Sequence, residues 1–167
     1  MSSFRLRPAT PADLPALGRL GARLVQAHFG FDSQRFMKPD NDIEAGYAWF
    51  LGTQLQVPSA IVLVALNDDH TVIGYVYAGI EPQSWKELRD EAGFIHDVVV
   101  DDAFASQGLG SQLVEAAAEW LEAKGAPRIL LWTAENNGAA QHLFQRLGFR
   151  RTMVEMTREN GEGRGSA

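Results

Sequence analysis

The chain has 167 residues, a formal net charge of −6 and no cysteine. With 46% hydrophobic residues, it is long enough to bury a core without disulfides or a structural metal. The acidic balance and the lack of a basic block argue against a nucleic-acid partner. The absence of cysteine excludes disulfides, thiolate nucleophiles and Cys-based metal sites, and the four histidines lie on separate predicted elements, so we expect no metal.

The sequence also indicates neither a targeting segment nor a membrane span. No apolar run approaches the roughly 18 residues of a membrane span, and the N-terminus carries no apolar leader. We therefore expect a soluble, cytoplasmic protein without a membrane partner.

The N-terminal part predicts a short strand followed by two helices. Residues 4–8 alternate in polarity, and the first helix follows with Thr10 as N-cap, Pro11 at its first position and Asp13 in its first turn. A second helix is indicated by apolar residues at helical spacing, which are Ile43, Tyr47, Phe50 and Leu51.

The middle of the chain predicts three strands. Residues 60–66 and 71–80 are rich in β-branched and aromatic residues, and the polar turn "NDDH" joins them, which is typical of an antiparallel hairpin. After a polar loop, "FIHDVVV" at 94–100 has the composition of a buried strand.

The C-terminal part alternates helices and strands. A helix from about Leu109 should end near Lys124, with Gly125 after its last residue. Then follow a strand at 128–133, a helix at 137–147 and a last strand at 149–156.

The predicted order is therefore β-α-α-β-β-β-α-β-α-β. An antiparallel front half combined with strand-helix-strand crossovers predicts an α/β (α+β type) fold with a mixed, mostly antiparallel sheet flanked by helices. We expect residues 1–158 to form a single domain and the polar, glycine-rich residues 159–167 to be a disordered tail.

The sequence "QGLG" at 107–110 lies between a strand and the helix that starts near Leu109. A helix N-terminus presents unpaired N–H groups at the positive end of the helix dipole, and glycine lets an anion approach the backbone. A tight turn without a ligand is the alternative. No lysine follows Gly110 as a P-loop requires, and Leu113 occupies the place of the third glycine of a dinucleotide fingerprint. After the P-loop and the dinucleotide fingerprint, a coenzyme A site is the third kind of phosphate site that the turn could form.

Two motifs in this region resemble those of a known family. "DVVVDDAFASQGLGSQLVEAA" resembles the acetyl-CoA-binding motif of the GNAT superfamily of N-acetyltransferases, and "ENNGAAQHLFQRLGF" resembles that family's next motif. The resemblance covers residues 93–151 closely and the N-terminal half in element order.

The resemblance implies acetyl-CoA as cosubstrate and a set of contacts for it. A bulge in the fourth strand would leave backbone groups free for the pantetheine arm, and the turn would hold the pyrophosphate. The residues implied in cofactor binding are Val98, Val99, Val100, Ala105, Ser106, Gln107, Gly108, Leu109, Gly110, Ser111, Asn137 and Phe144. For Asn137, capping of the following helix is the alternative.

The chain departs from the family pattern at two places. Ala105 stands where Arg or Gln is usual, and no positive charge occurs between Asp101 and Glu122, so phosphate binding would depend on backbone dipoles. Phe144 stands where many members carry a tyrosine thought to protonate the leaving thiolate, and phenylalanine cannot donate a proton.

Acetyl transfer to an amine needs a base and a donor for the developing oxyanion. The family resemblance assigns the donor to the Val98 N–H. Strand alternation would place Phe94, His96 and Val98 on one face and Ile95, Asp97 and Val99 on the other. We expect His96 to be the base, since an imidazole accepts protons near neutral pH. Asp97 is the second candidate. For both residues a purely structural hydrogen bond is the alternative.

The proton donor for the thiolate is open. Tyr77 shares a strand face with Tyr75 and is one candidate, and departure of the thiolate without assistance is another.

Together these features predict an acetyl-CoA-dependent N-acetyltransferase (EC 2.3.1) that acts on a primary amine of a small molecule, such as an amino acid, a polyamine-like or a drug-like amine. The alternatives are a protein N-terminal acetyltransferase and a non-catalytic CoA-binding or interaction module. Members of the family often pair through sheet edges, so a homodimer is one expectation, although no residue here points to it.

Overall fold

Five strands form a single mixed sheet in the computed structural model, which describes residues 4–161. The strands follow each other across the sheet in chain order, β1 to β4 are antiparallel, and β5 runs parallel to β4. This arrangement confirms the predicted fold class. The strands are β1 (Arg5–Pro8), β2 (Ala60–Leu66), β3 (Val72–Glu81), β4 (Ala92–Val100) and β5 (Ile129–Leu131).

Helices cover both faces of the sheet. One face carries a cluster built with the first two helices, and the other packs against the third helix, with apolar residues of the fourth beside it. None of the helices within residues 4–161 has the length and apolar character to cross a membrane. The helices are α1 (Leu14–Phe31), α2 (Ile43–Gln54), α3 (Leu109–Ala123) and α4 (Gly138–Arg146).

The start of α1 is fixed by a buried carboxylate. The Asp13 side chain accepts a hydrogen bond of 2.8 Å from the Thr10 N–H, and Arg7 of β1 donates two more, of 2.7 and 2.9 Å. The hydrogen-bonded Arg7 guanidinium lowers the pKa of Asp13. The helix start predicted from Thr10, Pro11 and Asp13 is present, with a short 3₁₀ turn at Pro11–Asp13 before α1.

The apolar stripe of α3 packs as its spacing predicts. Leu113, Ala117 and Leu121 are fully buried against the sheet. The helix ends at Ala123, and Gly125 follows with a positive φ of 84°, a conformation that favours glycine.

The last strand of the predicted order is wrong. The described residues after Phe149 form no strand, and Met153, Val154 and Met156 are 78%, 67% and 86% exposed. A strand needs a partner backbone, and within residues 4–161 no strand pairs with this segment. The segment instead reaches the loop that follows α1, where Glu155 pairs with Arg35. Of the predicted tail, residues 162–167 lie outside the described part, and the single-domain interpretation stays a prediction.

Helices α1 and α2 approach each other through glycine. A Cβ placed on Gly21 would lie 2.1 Å from the ring of Tyr47, and one on Gly18 would lie 2.5 Å from the Glu44 carbonyl oxygen. Contacts this short require the neighbouring atoms to move. The missing side chain at Gly21 therefore sets the position of the Tyr47 ring.

We expect Gly21→Ala to destabilise the protein by about 1–3 kcal/mol, because the new methyl group would displace Tyr47. Gly30→Ala is the matched control, since Gly30 lies in the same helix with no atom within 4 Å of an added Cβ. The control should be neutral or stabilising by up to about 1 kcal/mol, as for an exposed helical glycine. Urea denaturation of both variants measures the difference, and equal midpoints would contradict the close packing.

Candidate active site

Strands β4 and β5 separate halfway along β4. Their pairing covers Gly93 to Ile95 of β4 and ends where Ile95 meets Leu131. Beyond this point β4 continues to Val100 with β3 as its neighbour on one side only. The second half of β4 thus has one edge open to a gap in the sheet.

A β-bulge at His96 determines which groups face this gap. Tyr77 of β3 is opposite Asp97, and the next residue, Ala78, is opposite Ile95, so His96 has no partner in the register. Gly93 donates its N–H to Arg128 on the β5 side, whereas Asp101 donates to Ile73 on the β3 side. Gly93 and Asp101 are an even number of residues apart, so in a regular strand their N–H groups would face the same edge. The bulge between them explains why they face opposite edges.

The open edge presents the N–H groups of two valines. The N–H groups of alternate residues in a strand face the same edge, and the Asp101 N–H faces β3. The N–H groups of Val99 and Asp97 therefore also face β3, and those of Val98 and Val100 face the gap. This is the arrangement that the family resemblance implies for the residues around Val98. Their contacts with a cofactor stay a prediction.

The bulge also corrects the predicted distribution of side chains. Asp97 bonds to tyrosines on the α1–α2 side, and the His96 ring stacks on Phe94 and Tyr77 with centroids 4.8 Å apart in both pairs. Ile95 and Val98 pack on the α3 side instead. Strict alternation had placed His96 and Asp97 on opposite faces. The extra residue brings both of them to one face.

A cleft of about 290 Å³ begins at this gap. Its walls come from α1, the following loop, α2, β4, the end of β5 and α4. Five of the predicted site residues line it, namely His96, Asp97, Val98, Asn137 and Phe144. The fold thus brings together residues that lie on two separate elements, β4 and α4 with its N-cap.

His96 has a carboxylate partner. Its Nε2 lies 2.9 Å from Oε1 of Glu81, at the end of β3. A carboxylate at Nε2 favours the tautomer with the proton on that atom, which leaves the lone pair on Nδ1. The ring is held on both faces by Phe94 and Tyr77. Glu81 was not among the predicted site residues, and it directly follows the strand predicted at 71–80.

Asp97 is a half-buried carboxyl, and one of its two oxygens accepts hydrogen bonds. Oδ2 accepts hydrogen bonds from Tyr47, at 2.5 Å, and from Tyr75, at 3.0 Å. No described residue donates to Oδ1, and no buried side-chain oxygen of the described chain lacks a partner, so Oδ1 is open to the cleft. Burial raises the pKa of Asp97 above its ordinary value, and the two tyrosine hydrogen bonds offset part of this rise.

Two further ionisable residues reach the cleft without having been predicted. Tyr47 of α2 lines it, and burial together with Asp97 raises the pKa of its hydroxyl. His28 of α1 lines it too, with Nδ1 2.8 Å from the Leu24 carbonyl oxygen. Neither lies in a motif, and only the packing of the helices on the sheet places them here.

The structure directs Tyr77 elsewhere. Its hydroxyl donates to Oε1 of Gln54 at 2.9 Å, it does not line the cleft, and burial raises its pKa to about 12. Asn137 caps α4, since its Oδ1 accepts from the Ala140 N–H at 3.2 Å. The capping alternative is thus present, and the same residue also lines the cleft.

The glycine turn has a free row of donors. Ser106 and Gly108 have positive φ angles of 62° and 82°, and α3 begins at Leu109. The Ala105 N–H donates to Asp102 and the Gln112 N–H to Gly108, whereas the N–H groups of 106–111 have no acceptor among the described residues. A Cβ on Gly108 would meet no atom within 4 Å. The turn is open at the helix N-terminus.

Within residues 4–161, no three His, Asp or Glu side chains are grouped as a metal site.

The mixed sheet, its gap at the bulge and the open turn before α3 define an α/β domain suited to an extended, phosphate-bearing ligand. The family described as "Acetyltransferase (GNAT) family" matches residues 23–149, and this chain belongs to that family. The family predicted from the two motifs is confirmed.

Relatives in sequence are named acetyltransferases. Mycothiol acetyltransferase of Saccharopolyspora erythraea is 29% identical over 143 residues, which are 85% of this chain and 42% of that protein. The same enzyme of Rhodococcus erythropolis is 32% identical over 90 residues, 54% of this chain and 29% of the relative. The chain thus spans less than half the length of these relatives.

Solved structures share the fold. A tetramutant of the BH1408 protein from Bacillus halodurans has a TM-score of 0.77 and 21% identity, covering 93% of this chain and 99% of that chain. The aminoglycoside N-acetyltransferase AAC(6')-Iy, in complex with CoA, has a TM-score of 0.74 and 21% identity, covering 96% and 97%. At these identities the likeness concerns the fold.

The raised pKa of Asp97 gives stability a specific pH dependence. The unfolded carboxyl ionises from about pH 3.9 upward, whereas the folded one ionises at a higher pH. The stability that this carboxyl contributes is therefore fully present below its ordinary pKa and is lost as the pH rises through its raised pKa in the folded state.

We expect Asp97→Asn to lack this pH-dependent loss of stability. The free energy of unfolding of the variant should therefore rise relative to that of the wild type as the pH increases from the ordinary to the raised pKa of Asp97. The gain is about 1.4 kcal/mol for each unit of pKa difference. Asp13→Asn is the control with the opposite sign, because Arg7 lowers the pKa of Asp13. Urea denaturation at several pH values measures both, and parallel profiles for Asp97→Asn and the wild type would contradict the burial effect.

Proposed function

We propose that this protein is an N-acetyltransferase that transfers the acetyl group of acetyl-CoA to a primary amine of a small molecule. The observation that carries the proposal is the β4 bulge, which joins an open strand edge to a cleft containing His96 and Asp97. Family membership and the names of the relatives support the same reaction. A cytoplasmic location belongs to the proposal.

The residues present fit acetyl-CoA. The Val98 and Val100 backbone groups face the gap between β4 and β5, where an amide-bearing arm can bond as an added strand does. The N–H groups of 106–111 and the open space above Gly108 suit a pyrophosphate at the start of α3. Acetyl-CoA supplies the activated acyl group as a thioester.

In the proposed reaction the amine nitrogen forms a bond to the acetyl carbon, and the carbon–sulfur bond breaks with its electron pair leaving on sulfur. The Val98 N–H, at the start of the open edge, is placed to stabilise the negative charge that develops on the acetyl oxygen. His96 takes the amine proton at Nδ1 while Glu81 holds Nε2. Asp97 is the second candidate for the base.

No tyrosine of α4 is available to protonate the thiolate. Phe144 lines the cleft at that place, and Tyr77 is engaged with Gln54 outside it. The proposal therefore has the thiolate leave without a protein acid and take its proton from water.

The names of the relatives specify narrower classes of acceptor than the primary amine proposed for this chain. Two sequence relatives are named for mycothiol acetylation and a structural neighbour for aminoglycoside acetylation. Neither name transfers to this chain at 21–32% identity.

Thiol release from acetyl-CoA over a panel of amines tests the proposal. We expect His96→Asn to lower kcat by about 10²–10⁴-fold, because it removes the base and keeps a side chain that can bond to Glu81. The KM for acetyl-CoA should stay nearly constant, since backbone groups hold the cosubstrate. The matched control is His70→Asn, in the turn between β2 and β3, where His70 has a positive φ of 60° that Asn also tolerates.

Two results would contradict the assignment. Full activity of His96→Asn would pass the base to Asp97 or to water. A folded wild-type protein that binds acetyl-CoA but acetylates no amine would favour the non-catalytic alternative.

The phosphate role of the turn has its own test. We expect Gly108→Asp to weaken acetyl-CoA binding at least about 100-fold, because it places a negative charge where the pyrophosphate must approach. Gly125→Asp is the control, since Gly125 lies at the other end of α3 with a similar positive φ and an equally open Cβ position. Titration calorimetry measures both, and equal affinities of the two folded variants would remove the turn from the site.

A further inference from the structure

We infer that the acceptor is a monoamine with an apolar body and no carboxylate, and this inference rests on the proposed function of the same cleft. It narrows the acceptors expected from sequence, which include amino acids and polyamine-like compounds. Three features of the cleft carry it: its charge, its single open carboxylate oxygen and its apolar mouth.

The first feature is that no lysine or arginine lines the cleft. Arg35, next in sequence to the cleft-lining Phe36, is paired with Glu155 and lies over the Phe36 ring. Arg23 of α1 is likewise paired with Asp101 and Asp102. A carboxylate on the acceptor would therefore enter a cleft whose lining offers no guanidinium or ammonium to bind it.

The two imidazoles of the cleft already have hydrogen-bond partners. His96 bonds to Glu81 through Nε2. Nδ1 of His28 lies 2.8 Å from the Leu24 carbonyl oxygen, so Nδ1 is the donor of this hydrogen bond and Nε2 is an acceptor in the neutral ring. In the neutral form, the free nitrogen of each ring can accept from a hydrogen-bond donor such as an amine.

The second feature is the position of Asp97. Its Oδ1 is open to the cleft, and it is the only Asp or Glu side chain among the cleft-lining residues of the described chain. One ammonium or amine can donate to it. A second cationic group on the same acceptor would find no second carboxylate within the cleft, which disfavours polyamines.

The third feature is apolar surface at the mouth. Met37, after α1, and Trp132, after β5, both line the cleft and are 65% and 70% exposed. Phe36 and Leu24 continue the apolar wall inward. An acceptor with an alkyl or aromatic body would cover these side chains and gain about 25 cal/mol for each Å² of apolar surface it buries.

The test compares acceptors that differ in one group at a time. 2-Phenylethylamine, L-phenylalanine and L-phenylalaninamide are assayed for thiol release from acetyl-CoA, with ethylamine as the acceptor that lacks the apolar body. We expect kcat/KM for 2-phenylethylamine to exceed that for phenylalanine at least about 100-fold, because the carboxylate would lie beside Asp97. Phenylalaninamide should retain most of the activity, since it has the bulk of phenylalanine without the charge.

A substitution at the cleft mouth should change the preference for 2-phenylethylamine over phenylalanine in a predictable direction. Met37→Arg places a cation at the mouth and should narrow the ratio of 2-phenylethylamine to phenylalanine by about tenfold. Leu88→Arg is the matched control, because Leu88 is 88% exposed and does not line the cleft, so the ratio should not change.

The outcomes separate this inference from the proposed function. Equal or better turnover of phenylalanine, or of ethylamine, would overturn the inference and leave the acetyltransferase activity in place. Absence of thiol release with every amine, from folded protein that binds acetyl-CoA, would overturn the proposed function and the inference with it.

Discussion

One residue of β4 without a partner in the strand register organises this site. Because His96 has no partner on β3, the hydrogen-bonding direction of β4 reverses at that point, and the second half of the strand turns its free N–H groups to the gap beside β5. The same insertion brings His96 and Asp97 to one face. In a regular strand the N–H groups of Asp97 and Val99 would face the gap in place of those of Val98 and Val100, and His96 and Asp97 would lie on opposite faces.

The helix pair on that face completes the arrangement. Gly21 lets α2 approach α1 closely enough for Tyr47 to reach Asp97, and the contact joins residues 50 positions apart. Packing of two helices, local in itself, therefore sets the environment of a carboxyl on the sheet. The loop after α1 then supplies the apolar side of the cleft mouth at Met37.

Local patterns predicted most of the fold. The period of apolar residues gave α3, the polar turn gave the β2–β3 hairpin, and the glycines marked the turn before α3. The last strand failed because strand formation at 149–156 depends on a neighbouring backbone, which a propensity pattern does not contain.

The cleft-lining residues that were predicted from sequence lie within or directly beside the two motifs. Val98, Asn137 and Phe144 came from motifs and line one cleft. Glu81 and Tyr47 were missed because their contacts with β4 are made across the fold. The bulge itself has no signature in residue type, so the strand face of Asp97 could not be assigned from alternation.

The partial burial of Asp97 also bears on evolvability. Burial raises the pKa of this carboxyl, so its contribution to stability is lost as the pH rises through the raised value. Laboratory selection for thermal tolerance alone, above that pH, would therefore enrich neutral replacements at this position. Under the proposed function, in which Asp97 is the second candidate for the base, selection that demands turnover as well would find its stability elsewhere, at surface positions such as Gly30 that do not line the cleft.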